Sequence, residues 1–338
     1  MKKTHAMTIL LGLAAAAHAA LPIVIAHRGA SGYLPEHSFA AKAFAHAQKP
    51  DYLEQDVTLT RDDVPVILHD HYLDTVTDVA RVFPGRHRPD GRYYAIDFTA
   101  AEIARLTLHE RIDLATGKPV YPQRFPVDPG LDLHVPTLDQ EIRFIEGMNK
   151  STGRHVGLYT ELKVPWWHHR EGHDIERATM AVLGRHGYLK PGANIWIQCF
   201  DPACLKRLRN ELGVRLPMVQ LIGHNDWNET PGVDYDAMLT PQGLAAVARY
   251  AEGIGPDIDQ LIIAQGGTIT LRTALVKRAH ELGLVLHPYT VRLEELPAGV
   301  TSVDRYFDLL FQGLHVDGVF SDFPDLAVQY LQRKGMRP

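Results

Sequence analysis

With only Cys199 and Cys204 among 338 residues, the chain cannot rest on a disulfide scaffold. It has no run of lysines or arginines to track a phosphate backbone, and its formal net charge is −5. Nucleic acid is therefore not expected as a partner. No apolar stretch reaches the roughly 20 residues a membrane-spanning helix needs, and no basic amphipathic segment offers a surface anchor. Internal repeats, heptads and low-complexity tracts are missing as well. What is present is the profile of a folded chain, 45% hydrophobic and 22% charged, long enough for one large barrel or for two smaller domains.

At the start, Lys2 and Lys3 precede an apolar run over 9–17 that ends in the small-residue pattern Ala17-His18-Ala19. This predicts a leader over 1–19, cleaved before Ala20, and an exported chain, periplasmic or secreted. Loss of the leader takes the net charge to −7. No cysteine follows the run to accept a lipid. In an exported chain Cys199 and Cys204 could pair across the turn between them, or stay as two separately buried thiols.

Short β-rich runs alternate with helix-period runs. The strands are expected at 23–26, 52–57, 156–161, 195–198, 218–222, 253–256, 285–289 and 317–321, and helical stretches at 38–47, 173–186, 202–212, 241–251, 271–282 and 303–312. Eight repeats of strand then helix are the grammar of an α/β fold, a (β/α)8 TIM barrel, although a doubly wound sheet uses the same alphabet. Asp201-Pro202 and Thr240-Pro241 each set a capping side chain before a proline at the first helical position. The strand at 253–256 holds two glycines and could shift toward 260–264. Between about 75 and 136 the pattern breaks into proline- and glycine-rich loop with one helix expected at 99–106. This reads as an insertion after the second strand at the barrel mouth, within a single barrel domain over 20–338, or else as a small separate domain.

The chemistry concentrates at strand ends. His27-Arg28-Gly29 follows the first run, and His69-Asp70 follows Val66-Ile67-Leu68. Glu54 and Asp56, two apart on a strand, project to one face, and in a closed barrel that face is the interior. Two carboxylates there repel unless a cation compensates. Glu161 closes a further strand and would add a third oxygen donor, with Lys163 on the same face. Such a set suits Ca2+ or Mg2+ rather than zinc, with Ca2+ favoured outside the cell. His27 and His69 fit a step in which one imidazole removes a proton and the other returns one. Arg28 offers a planar fork matched to phosphate oxygens.

Taken together, these residues resemble the glycerophosphodiester phosphodiesterase family. Its motifs H-R-G, P-E-[NH]-[ST], E-x-D, H-D and E-x-K occur here in order, at 27–29, 35–38, 54–56, 69–70 and 161–163. Longer stretches, among them 25–37, 68–74, 91–98 and 226–230, are similar to its bacterial periplasmic branch. The resemblance implies Ca2+ held by Glu54, Asp56 and Glu161, with His27 as general base, His69 as general acid, and Arg28 and Lys163 on the phosphate. Gln198, Tyr289 and Asp322, at later strand ends, are expected to line the pocket. The implied reaction cleaves a small-molecule glycerophosphodiester to sn-glycerol 3-phosphate and an alcohol. Ser38 replaces a usual threonine, and none of the departures removes a catalytic group. A phospholipase-type barrel acting on intact lipids, and an exported binding protein without turnover, are the competing readings.

Overall fold

The computed structural model describes residues 21–128 and 130–338, so the leader expected over 1–19 lies outside the described residues. Among the described residues there are eleven strands, β1 (Ile23–Ala26), β2 (Tyr52–Leu59), β3 (Pro65–Ile67), β4 (Gly157–Leu162), β5 (Ile195–Cys199), β6 (Met218–Ile222), β7 (Gly253–Pro256), β8 (Ile262–Gln265), β9 (Thr268–Leu271), β10 (Val285–Leu286) and β11 (Gly318–Ser321). Eight of them run parallel in the order β10-β7-β6-β5-β4-β2-β1-β11. The ring closes between its two ends, where Asp317 N donates to Leu286 O at 3.0 Å and Phe320 N to Pro288 O at 3.1 Å. The fold is a TIM barrel.

Alternation along the strands builds the site. Ile25, Tyr159, Val219, Leu221 and Phe320 meet inside the barrel, with Tyr52 and Trp196 against them. Residues two further along a strand share that face. Ile25 thus leads to His27, Tyr52 to Glu54 and Asp56, Tyr159 to Glu161, Trp196 to Gln198, and Phe320 to Asp322. A floor of apolar rings carries a polar layer at the carboxyl ends. The other face, with Val24, Leu53, Val57, Leu158 and Ile197, packs under the helices. On β7 the glycines are there for space, since a Cβ on Gly253 would stand 2.6 Å from Val285 Cγ2 and one on Gly255 2.8 Å from Leu221 Cδ2.

Three features depart from the sequence reading. The run before His69 is β3, and it lies antiparallel to β2, pairing Val57 with Ile67. His69 therefore reaches the mouth on the return arm of a hairpin and not at the carboxyl end of a barrel strand. The strand expected at 253–256 forms as β7, and the alternative place for it near 260–264 is instead β8, which pairs antiparallel with β9 in a separate hairpin that the sequence did not announce. A helix at Leu138–Thr152, entered through a capping box of Thr137 and Gln140, follows the insertion. The insertion has its own apolar cluster, including Leu73, Val79, Phe98, Ile103 and Leu106. Both cysteines are free and buried, and Cys199 Sγ donates to Leu162 O. Among the described residues, no helix is long and apolar enough to cross a membrane.

Candidate active site

The loop after β1 turns back at once. Arg28 takes φ 57° and Gly29 φ 89°. A Cβ on Gly29 would stand 2.8 Å from Ala41 C, so this glycine serves both the turn and the close approach of the helix Phe39–Ala47. The turn points Arg28 N at Glu54 Oε2, 2.6 Å away, and brings Arg28 Nε within 3.5 Å of Asp56 Oδ2. His37 Nε2 and Asp56 Oδ2 are 2.9 Å apart. Ser38 Oγ caps the helix by accepting from Ala41 N.

Seven of the residues expected from the sequence come to one cavity of about 210 Å³: His27, Arg28, His69, Glu161, Lys163, Gln198 and Tyr289. Glu54 and Asp56, each 1% exposed, lie behind Arg28. The Tyr289 hydroxyl is committed to Ile222 O at 3.0 Å, which makes the ring a wall. Gln198 Oε1 is buried with no hydrogen-bond partner among the described residues.

The two imidazoles are held alike. His27 Nδ1 lies 2.6 Å from Asp322 Oδ1, and His69 Nδ1 lies 2.7 Å from Asp70 Oδ1. Arginines stand behind each carboxylate. Arg124 and Arg292 reach Asp322 at 2.8 and 3.1 Å, and Arg111 reaches Asp70 at 2.6 Å. Burial opposes ionisation of both acids, but Arg292 and His27 hold Asp322 well below the carboxylate range, and Arg111 does the same for Asp70. An ionised acceptor at Nδ1 fixes the proton there and leaves Nε2 as the free base. Burial first, then Arg28, pushes His27 down to about 4 despite Asp322. Burial, Arg28 and Lys163 push His69 down to about 3.

The carboxylates behind are under strain of charge. Burial and Asp56 raise Glu54 well above its ordinary value, and burial raises Glu161 to about 8. Asp56 stays ionised because Lys163 and the His37 hydrogen bond outweigh its burial. Even so, Asp56 Oδ1 has no hydrogen-bond partner among the described residues. Buried, under-compensated oxygens of this kind fit a hard cation. Ligand atoms of His37, Glu54 and Asp56 lie within 4.8 Å of one another. Glu161 instead faces Lys163, at 2.7 Å, whose ammonium is 3.9 Å from Asp56 Oδ1. The compact group thus contains His37, and Glu161 stands one ion pair away from it.

Arg111, Arg124 and Arg292 were missed by the sequence reading. Arg111 also grips Glu36 at 2.6 Å, and Glu36 binds Arg28 at 3.1 Å, so one chain of ion pairs joins the support of His69 to Arg28. Arg111 and Arg124 lie in the aperiodic insertion, where no local pattern marks them. Asp322 had a readable signal. Ala26 pairs with Ser321 in the closed ring, so the residues that follow each must be neighbours.

A family model described as "Glycerophosphoryl diester phosphodiesterase family" matches residues 27–326. A glycerophosphodiester phosphodiesterase of Haemophilus influenzae is 45% identical over 327 residues, covering 92% of this chain and 90% of the relative. One from Treponema pallidum is 38% identical, covering 98% of each. Among solved structures, a protein from Silicibacter pomeroyi assigned as a glycerophosphoryl diester phosphodiesterase superposes with a TM-score of 0.70 at 25% identity, covering 95% and 96%. A phosphodiesterase of Oleispira antarctica, solved with the product sn-glycerol-3-phosphate, gives a TM-score of 0.64 at 20% identity, covering 92% and 97%. The chain belongs to the glycerophosphoryl diester phosphodiesterase family.

Proposed function

We propose that this member of the family hydrolyses glycerophosphodiesters, the water-soluble products of phospholipid deacylation, to sn-glycerol 3-phosphate and an alcohol. The observation that carries the reading is the pair of imidazoles in one cavity, each fixed at Nδ1 by an ionised carboxylate and each with Nε2 free. The product held by the Oleispira antarctica relative supports the same chemistry.

The substrate brings its own nucleophile, the glycerol hydroxyl vicinal to the ester oxygen. Arg28 and Lys163 bind the non-bridging oxygens of the anionic phosphodiester. That anion, set against Arg28 and Lys163, the two cations that suppress protonation of His69, offsets their charge and lets His69 carry a proton. His27 Nε2 takes the proton of the attacking hydroxyl, the new P–O bond forms, and the bond to the alcohol breaks as His69 protonates the departing oxygen. Water then opens the cyclic phosphate with the two histidines exchanging roles. Glu54, Asp56 and Glu161 would hold Ca2+, or Mg2+ as the alternative hard cation, which when bound supplies positive charge against the phosphoryl oxygens. Their burial and the partnerless Asp56 oxygen support this assignment, and His37 supports Asp56 from behind.

Release of glycerol 3-phosphate from glycerophosphocholine should be abolished by chelation and restored by Ca2+. Binding without release would remove the assignment. A substrate in which hydrogen replaces the vicinal hydroxyl should not turn over; unimpaired turnover would exclude the cyclic route. The leader pattern supports export, with 20–338 as one barrel domain and its insertion. Mass spectrometry of the extracellular or periplasmic protein should find Ala20 as the first residue.

A further inference from the structure

Beside the catalytic cavity opens a second one, of about 540 Å³, that shares His69, Lys163, Trp227 and Glu229 with it. Tyr72, Trp166 and Trp227 supply its aromatic walls. The loop carrying Trp227 and Glu229 is fastened on several sides. Trp166 Nε1 donates to Glu229 O at 2.8 Å, and the Asn225 side chain accepts from Tyr235 N at 2.7 Å. Trp227 lies directly over Gly223, where an added Cβ would meet its ring at 3.0 Å.

The charges in this cavity are mostly spent. Arg92 is bonded to Asp74 at 2.8 Å, Arg170 stands 3.8 Å from Glu171, and Lys163, 2.7 Å from Glu161, is the cation assigned above to the phosphate. Asp70 is matched by Arg111. Among the described residues Glu229 has no ion-pair partner, and it sits where the two cavities meet. Two of the walls already carry a cation on their faces, Arg92 at 3.6 Å over Tyr72 and Arg170 at 5.3 Å over Trp166. Trp227, 45% exposed, carries none among the described residues. A lone carboxylate next to an open indole is the chemistry that recognises an organic ammonium ion.

We propose that this second cavity receives the departing alcohol, and that Glu229 with Trp227 selects alcohols bearing an ammonium group, such as choline or ethanolamine. The proposal rests on the hydrolytic reading above and names the substrate class that reading leaves open. His69, at the boundary between the cavities, then protonates an alcohol whose cationic end is anchored away from the phosphorus.

The test compares kcat/KM for glycerophosphocholine and for glycerophosphoglycerol, whose alcohol is uncharged, in wild type, Glu229→Gln and Trp227→Leu. In each variant the choline-to-glycerol ratio should fall by about five- to tenfold. An unchanged ratio, with or without a common loss on both diesters, would overturn the proposal. Titration of the full chain with choline chloride, against a potassium chloride control and read by NMR, does not depend on turnover. Choline should bind wild type more tightly than Glu229→Gln, and equal or undetectable binding would overturn the proposal. Choline binding without hydrolysis of either diester would instead overturn the hydrolytic reading.

Discussion

The two sides of the mouth reach the same arrangement by different routes. On the barrel side His27 meets Asp322, 295 positions later in the chain, because the first and last strands pair. On the hairpin side His69 meets its immediate neighbour Asp70, and the insertion supplies Arg111 behind it. Side-chain exposure differs accordingly, 11% and 2% for His27 and Asp322 against 29% and 20% for His69 and Asp70. A support buried by barrel closure has no substitute if it is lost, whereas one open to solvent can be replaced in part by water. The insertion thus supplies part of the ion-paired support on the His69 side and is no mere decoration of the mouth.

The largest expected effect removes either imidazole. His27→Asn and His69→Asn should each lower kcat on glycerophosphocholine by about 10²- to 10⁴-fold, measured as steady-state glycerol 3-phosphate release. Next comes the contrast between their supports. Asp322→Asn should cost about 10²-fold in kcat, because it leaves the His27 tautomer unfixed in a dry site. Asp70→Asn should cost only about tenfold. Equal losses would break the comparison.

Acid should unsettle the barrel side. Burial holds His27 and His37 at about 4, helped for His27 by Arg28 and for His37 by Lys42, and burial also holds His287 at about 4 despite Asp317. A histidine kept neutral in the folded chain but protonated in the unfolded one makes the unfolded state the better proton binder. Its stabilising effect is full above the ordinary value of about 6.5 and drains as pH falls toward 4. Each such group removes up to about 1.4 kcal/mol per pH unit in that window. Urea midpoints taken between pH 7 and 4.5 should therefore fall, and His287→Phe should flatten the slope. A slope the substitution leaves unchanged would contradict this reading of the burial.

The smallest effect sharpens the contrast at two helix caps. Ser38→Ala on the barrel side and Thr99→Ala in the insertion each remove a capping oxygen and should cost about 1 kcal/mol in stability. Only Ser38→Ala should also lower kcat, since its helix entry fixes the loop holding Arg28 and His37.

The barrel was legible because its strands and helices repeat with clear period, and the caps at Asp201 and Thr240 appear as read. The polar layer was legible because strand parity places Glu54 and Asp56 on one face and Glu161 closes another strand; the register that sets Glu161 beside Asp56 is seen only in the structure. What was not legible depends on contacts distant in sequence. Three residues of β3 carry no sign of their direction, although Asp62-Asp63 marks a turn, and Asp63 takes φ 57° there. The 271–282 helix begins only at Thr273, because the hairpin with β8 claims Leu271 for β9. Arg111 and Arg124 gain their roles only once the insertion folds back over the mouth.

The assignment of a base and an acid to the two sides is tested most directly by changing the leaving group. A glycerophospho-p-nitrophenyl ester releases an alcohol that needs no proton. In single-turnover measurements of p-nitrophenolate release, which precedes the water step in which His69 would act as base, His69→Asn should recover most of its lost rate, while His27→Asn should remain as impaired as on glycerophosphocholine. Equal impairment of both variants on both substrates, or recovery by His27→Asn alone, would contradict the account.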